Sequence, residues 1–255
     1  MAGEGDVTLH LVAGDDSAAV DVVFFHGLGG DYEKTWWHEK GFSWPHELAN
    51  EAAGVRVWTL EYPARRWCWT EPGKNAVGDI QQIANRVRAE MVSKQPDGLM
   101  QGGKPCIWVC HSLGGLIAKR LLVDDQTCSP AGQKLDADLL QGIMFLGTPH
   151  RGSDFADWGE NLLTGTKGIA KAAFSSLAQT FGWDVQIPDG MLGNLTDLVQ
   201  ELKNRNDGLW DLDSDFQSYF ADRWQPGKSP LLVSVLAEGR SPFPGGHGPL
   251  IVDTK

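Results

Sequence analysis

Helices packed on both faces of a mostly parallel β-sheet are what this 255-residue sequence predicts, and three features of its pattern say so. Short apolar runs bounded by turn residues recur along the chain, as strands buried on both faces require. Segments with helical apolar spacing alternate with them. No internal repeat or low-complexity tract points to a solenoid or a disordered array.

Taken in order, residues 20–25 (VDVVFF) form the first strong strand and run into His26-Gly27-Leu28-Gly29-Gly30. Residues 55–60 (VRVWTL) form a second strand. Over residues 75–91 the apolar positions Val77, Ile80, Ile83, Ala84 and Val87 keep a helical period. Residues 94–104 are polar and glycine-rich, a loop. A third strand at 107–110 leads straight into a helix over 113–123, and residues 139–146 contain a fourth strand. From 154 to 215 the pattern is helical and irregular, with Leu195, Leu198, Val199 and Leu202 at helical spacing; it reads as an inserted cap or as the return helices of the sheet. Residues 231–236 (LLVSVL) form a fifth strand, 245–248 a loop, and 250–252 begin a last short one. Residues 1–19 are a lead-in, and one domain over 1–255 is expected for this length.

The formal charge of −11, from 33 acidic and 22 basic residues, argues against a nucleic-acid surface and against attraction to anionic headgroups. It leaves apolar contact with a membrane open, so peripheral association stays among the expectations. No apolar run approaches the roughly 18 residues of a spanning helix. The opening MAGEGD lacks a basic-then-apolar signal pattern. An intracellular, cytoplasmic protein is expected. The four cysteines, Cys68, Cys106, Cys110 and Cys128, follow no zinc spacing, and reduced structural thiols are expected.

The strongest local signal is Trp108-Val109-Cys110-His111-Ser112-Leu113-Gly114-Gly115. It is a G-x-S-x-G turn in which Cys110 replaces the first glycine. A serine hydroxyl is a weak nucleophile and has to be presented on a sharp bend where a base can reach it. Small residues two before and two after the serine let strand and helix approach. The helix starting at Leu113 aims its amides and positive dipole end at a developing oxyanion. The alternative is a serine that merely caps a helix followed by glycines.

A second element weighs against that alternative. Acyl transfer needs two preorganised N–H donors for the tetrahedral oxygen. The amide of Leu113 supplies one, and the glycine turn after the first strand supplies the other, assigned to Leu28. A phosphate-cradling loop is the rival reading of these glycines, but neither G-x-G-x-x-G nor G-K-[ST] is present.

A third element is FLGTPHRGS at residues 145–153. The trio HGLGG, CHSLGG and FLGTPHRGS, in this order, resembles the α/β-hydrolases of the serine-active-site-containing protein family, over roughly residues 21–255. These are lipase- or esterase-like domains that also stand at the N-termini of fungal NLR-type receptors. The resemblance implies the α/β-hydrolase fold and a glutamate closing the last strong strand, matched by Glu238. It also implies association with mitochondrial or endoplasmic-reticulum membranes.

In this fold the order is serine, acid, histidine, so His10, His38 and His46 lie on the wrong side of Ser112. His26 and His111 sit in turns where imidazoles bond backbone, and His150 follows Thr148-Pro149 as a turn residue. His247 is the one histidine that follows Glu238, Asp154 and Asp207. It precedes the final strand, whereas the resembling family carries its histidine in further chain after that strand. The base is therefore expected beyond residue 255, the C-terminal end of the fold missing, with His247 the candidate within the chain. The acid orients the imidazole. Glu238 fits by position, and Asp154, Asp207 and Asp253 stay as alternatives. Of the clustered tryptophans 36, 37, 44, 58, 67 and 69, Trp58 reads as core. Trp36 and Trp37 either line an acyl pocket or pack a long loop.

The expected activity is hydrolysis of carboxylic esters, lipid or acyl, with a small-molecule ester as partner and no metal or organic cofactor. With its histidine outside it, the chain itself is expected to turn over esters poorly. The other expectation is a hydrolase-like effector or signalling domain of impaired activity, fused to downstream modules.

Overall fold

The computed structural model describes residues 7–27, 30–38, 41–62, 76–93, 99–100, 103–127, 134–148, 150 and 206–236, with only the backbone of 76–79, 126–127 and 206–210. The strands are β1 (Thr8–Ala13), β2 (Val20–Phe25), β3 (Trp37–His38), β4 (Phe42–Ser43), β5 (Val55–Glu61), β6 (Cys106–His111), β7 (Leu140–Leu146) and β8 (Leu232–Leu236). The helices are α1 (Trp44–Glu51), α2 (Ala76–Ser93), α3 (Leu113–Thr127) and α4 (Asn206–Arg223). Six strands form one sheet in the order β1-β5-β2-β6-β7-β8, and β3 with β4 makes a small hairpin. All neighbours in the large sheet are parallel except β1, which runs antiparallel to β5.

Strand alternation explains the layers. On β2, Val22 and Phe24 face one core with Val57, Val109 and Trp36, against which Trp44 and Leu48 of α1 pack. Val23 and Phe25 face the other core, shared with Leu60, Trp108, Cys110 and the apolar sides of α2, α3 and α4. With both faces covered, the central strands read as unbroken apolar runs, which is why they were visible in the sequence.

The order of the strands places a crevice. From β2 the chain moves outward to β5, whereas from β6 it moves the opposite way to β7 and β8. Loops leaving β2 and β6 therefore part at their carboxyl ends, the position where open α/β sheets hold ligands. Phe25 and Cys110 are register partners there.

The foot of the sheet is tied by charge. Asp21 and Arg56 are register partners and both are buried. Arg56 donates to both carboxylate oxygens of Asp21, at 2.6 and 3.1 Å, and to Asp16 at 2.8 Å. Trp58 Nε1 donates to Asp21 at 2.9 Å. This explains how an aspartate stands inside an otherwise apolar strand. Arg223, buried at the end of α4, donates to the carbonyls of Ala137, Leu140 and Ser229 and to the Tyr219 hydroxyl.

Two differences from the sequence reading stand out. The lead-in contains β1, a short edge strand in which Leu9 is the one buried side chain and Leu11, on the same face, is exposed. The helical stretch bounded at 215 continues to 223 as α4, because Leu212, Phe216 and Tyr219 keep a buried face. Residues 154–205 lie outside the described residues, as do Cys68, Cys128, Trp67 and Trp69.

Candidate active site

Ser112 occupies the single residue between β6 and α3. Its φ is +50°, and among the described residues only Met100 shares left-handed backbone without being glycine. A serine held there is strained, and such strain gathers at functional sites. The bend is fixed on both sides: Ser112 N donates to Leu146 O at 2.9 Å, and Ser112 O accepts from Gly115 N at 3.0 Å. The side chain is partly exposed.

The glycines after the serine are dictated by close approach. A β-carbon on Gly114 would meet Phe25 O at 2.5 Å and His26 O at 2.8 Å. One on Gly115 would meet Thr148 Oγ1 at 2.2 Å. So α3 starts hard against the ends of β2 and β7. Cys110, two residues before Ser112, is fully buried, and desolvation pushes its thiol pKa well up. Cys106, equally buried, shifts the same way. Both are free thiols acting as small apolar side chains.

The turn after β2 lies against this bend. A β-carbon on Gly27 would fall 3.0 Å from Ser112 Cβ and 2.8 Å from His111 Nδ1. Gly30 N donates to Gly27 O at 3.0 Å and closes the turn. His26 is buried, donates from Nδ1 to Gly27 O at 2.9 Å, and stacks on Tyr62 with ring centroids 4.0 Å apart. The Tyr62 hydroxyl donates to His26 O. Leu113 is the first residue of α3, so its N–H has no acceptor within the helix. Leu28 lies outside the described residues.

Two imidazoles near the bend, His111 and His150, are held neutral at ordinary pH. His111 is held down to a pKa of about 4 by desolvation and by facing His26. His150 stands edge-on to Phe145 and is held to about 4 by desolvation, then by Lys119, with Asp213 opposing. His10 pairs with Glu61 at 2.7 Å, and His46 Nδ1 shares a hydrogen bond with Ser43 Oγ at 2.9 Å. Glu238, His247, Asp154 and Asp253 lie outside the described residues, and of Asp207 only the backbone in α4 is described. Trp36 is buried, edge-on to Phe24, Trp44 and His111, whereas Trp37 is exposed. Packing therefore claims Trp36.

Sequence reasoning missed Tyr62 and Tyr32, whose contacts join residues distant in the chain. It also missed the Lys119–Asp213 pair. The helical phase of Lys119 among Leu116, Ile117 and Leu122 was the signal for that one. Among the described residues there is no group of three or more His, Cys, Asp or Glu that holds a metal ion, and no helix is long and apolar enough to cross a membrane.

A family model described as the Alpha/beta hydrolase family matches residues 22–251, which include β2, the serine bend and β8. The chain belongs to the alpha/beta hydrolase family. This hydrolase-family chain is 27% identical over 168 residues to Protein SERAC1 of Bos taurus and 30% identical over 161 residues to Protein SERAC1 of Danio rerio. These matches cover 56% and 54% of the chain and 23% of each relative, so the similarity spans about a quarter of those proteins. Solved structures similar to it include a lipase-esterase related protein from Clostridium acetobutylicum, with TM-score 0.44, 11% identity and 91% of each chain covered. A soluble variant of monoglyceride lipase from Saccharomyces cerevisiae matches with TM-score 0.43 and 13% identity, covering 100% of this chain and 87% of that one.

Proposed function

We propose that this chain carries a serine hydrolase site for carboxylic esters of acyl or lipid type, with Ser112 as nucleophile. One observation carries the reading: a non-glycine residue in left-handed backbone at a strand-to-helix bend, with a glycine turn pressed against it. A structural serine has no need of that strain, whereas a nucleophile does, because the bend lifts its hydroxyl clear of strand and helix.

The chemistry follows from the groups at hand. Ser112 Oγ attacks the ester carbonyl, and its proton passes to a histidine. The carbonyl oxygen gains charge as the tetrahedral intermediate forms, facing the Leu113 amide at the head of α3 and the Leu28 amide of the glycine turn. The protonated histidine then donates to the departing alkoxide, leaving an acyl-serine. Water, activated by the same histidine, releases the acid. Glu238 is the acid proposed to orient that histidine, and His247 is the histidine of this sequence that follows it. The neutral, half-buried His111 and His150 are unsuited to the role: a base working near neutral pH needs a pKa near that pH. The reaction as written calls on no metal or organic cofactor.

The test is labelling with a fluorophosphonate, which reacts with activated serines. The full chain should take one label at Ser112, and Ser112→Ala none. A chain left unlabelled, or labelled equally after Ser112→Ala, refutes the assignment. Slower labelling of His247→Ala would place the base in this chain; an unchanged rate would remove His247 from the mechanism.

A further inference from the structure

The loop that follows β2 is fastened twice to one dipeptide, Glu61-Tyr62, at the end of β5. At its start His26 stacks on Tyr62, with centroids 4.0 Å apart and planes at 14°. Further along, Tyr32 stacks on His10 with the same values, 4.0 Å and 14°. His10 Nε2 in turn bonds Glu61 Oε2 at 2.7 Å. His10 reaches this place because β1 pairs with β5, with Thr8 opposite Glu61 and His10 opposite Thr59. Within the loop, Asp31 Oδ1 accepts from Glu33 N and Lys34 N at 3.0 and 3.1 Å, and Asp31 N donates to Thr35 Oγ1 at 2.9 Å. The segment from Gly30 to Trp36 is thus tied by its own bonds, with Trp36 set in the core at one end and Tyr32 held against the sheet edge.

We propose that Tyr32 and His10, with Glu61 orienting the imidazole, are positioning residues that hold the loop after β2 in place and so keep Gly27 against Ser112. The inference rests on the serine-hydrolase reading above. An oxyanion donor displaced by a fraction of an ångström loses much of its effect. A stack of two flat rings biases a loop by a factor of roughly 3 to 10. Glu61 fixes the plane of the His10 ring by accepting from its edge, which leaves the ring face to Tyr32.

In the full chain, His10→Ala and Tyr32→Ala should each slow fluorophosphonate labelling of Ser112 by roughly 3- to 10-fold, well below the unfolding temperature. The double variant should be no slower than the worse single one, and Tyr32→Phe, which keeps the ring, should label at the original rate. Amide exchange over residues 27–35 should accelerate by a similar factor in the alanine variants and not in Tyr32→Phe. Unchanged labelling in the alanine variants overturns the positioning role, with or without faster exchange, and so does failure of Tyr32→Phe to restore the rate. If the unaltered chain takes no label, the serine-hydrolase reading fails by itself. The exchange comparison then decides the clasp alone, and equal exchange in all variants overturns it.

Discussion

Lys119 of α3 and Asp213 of α4 form an ion pair inside the protein, with 1% and 6% of their surfaces exposed. The ammonium lies over the rings of Phe145 and Phe216, at 5.7 and 5.3 Å, and Gln217 Nε2 donates to the second carboxylate oxygen at 2.9 Å. Burial lowers the Lys119 pKa, and the bond to Asp213 acts against it. Removing one partner strands a charge without water. Asp213→Ala should cost about 3–5 kcal/mol in urea unfolding, and Lys119→Met with Asp213→Leu should recover most of that. A double variant no better than the single one would show that packing, not charge, sets the loss.

The two glycines after Ser112 should fail differently. Gly114→Ala pushes a β-carbon against backbone oxygens of Phe25 and His26, which no side-chain change relieves. Gly115→Ala pushes against the buried Thr148 side chain. Each should destabilise by about 1–3 kcal/mol. Adding Thr148→Ala should return part of the loss for Gly115→Ala and none for Gly114→Ala, as read by denaturant midpoints.

Acid should weaken the fold through His111 and His150. Both have folded pKa values of about 4, below the ordinary histidine value of about 6.5. Between those limits the unfolded chain binds more protons, so stability falls as pH is lowered from about 6.5 to about 4 and the effect saturates below that. A loss of roughly 1–3 kcal/mol per histidine is expected. His150→Gln should flatten the stability profile across this window; a profile identical to that of the unaltered chain would remove His150 from the account.

Ser112 should be less stable in place than glycine. Its φ of +50° suits a residue without a β-carbon. Ser112→Gly is therefore expected to unfold about 1 kcal/mol later than Ser112→Ala, while neither accepts a fluorophosphonate. Equal stability of the two variants would mean that the bend carries no strain.

The sequence exposed those parts of the fold that form short, nearly unbroken apolar runs between turn residues. Residues 20–25 appeared as a strand because both of its faces are buried, and the helix after Ser112 appeared because it begins at once. β1 escaped because Leu9 is its one buried side chain, and Leu11 on the same face lies half in water. α1 escaped because Trp44-Pro45 opens it and its pattern is weakly apolar. At the candidate site, the serine bend and the glycine turn were legible from spacing alone. Tyr62 beneath His26 and Tyr32 against His10 were not, since each pairing depends on which strands become neighbours. The candidate acid Glu238 and the candidate base His247 lie outside the described residues.

Arg223 has a consequence for how this end of the molecule opens. Its guanidinium joins the carbonyls of Ala137 and Leu140, where β7 begins, to that of Ser229, just before β8. Peeling the edge strand away cannot then remain a local event, because it pulls the clamp off the foot of its neighbour. β7, β8 and the close of α4 should come apart as one cooperative unit. A protease nick in the short link after α4 would accordingly loosen the middle of the sheet as well as its rim.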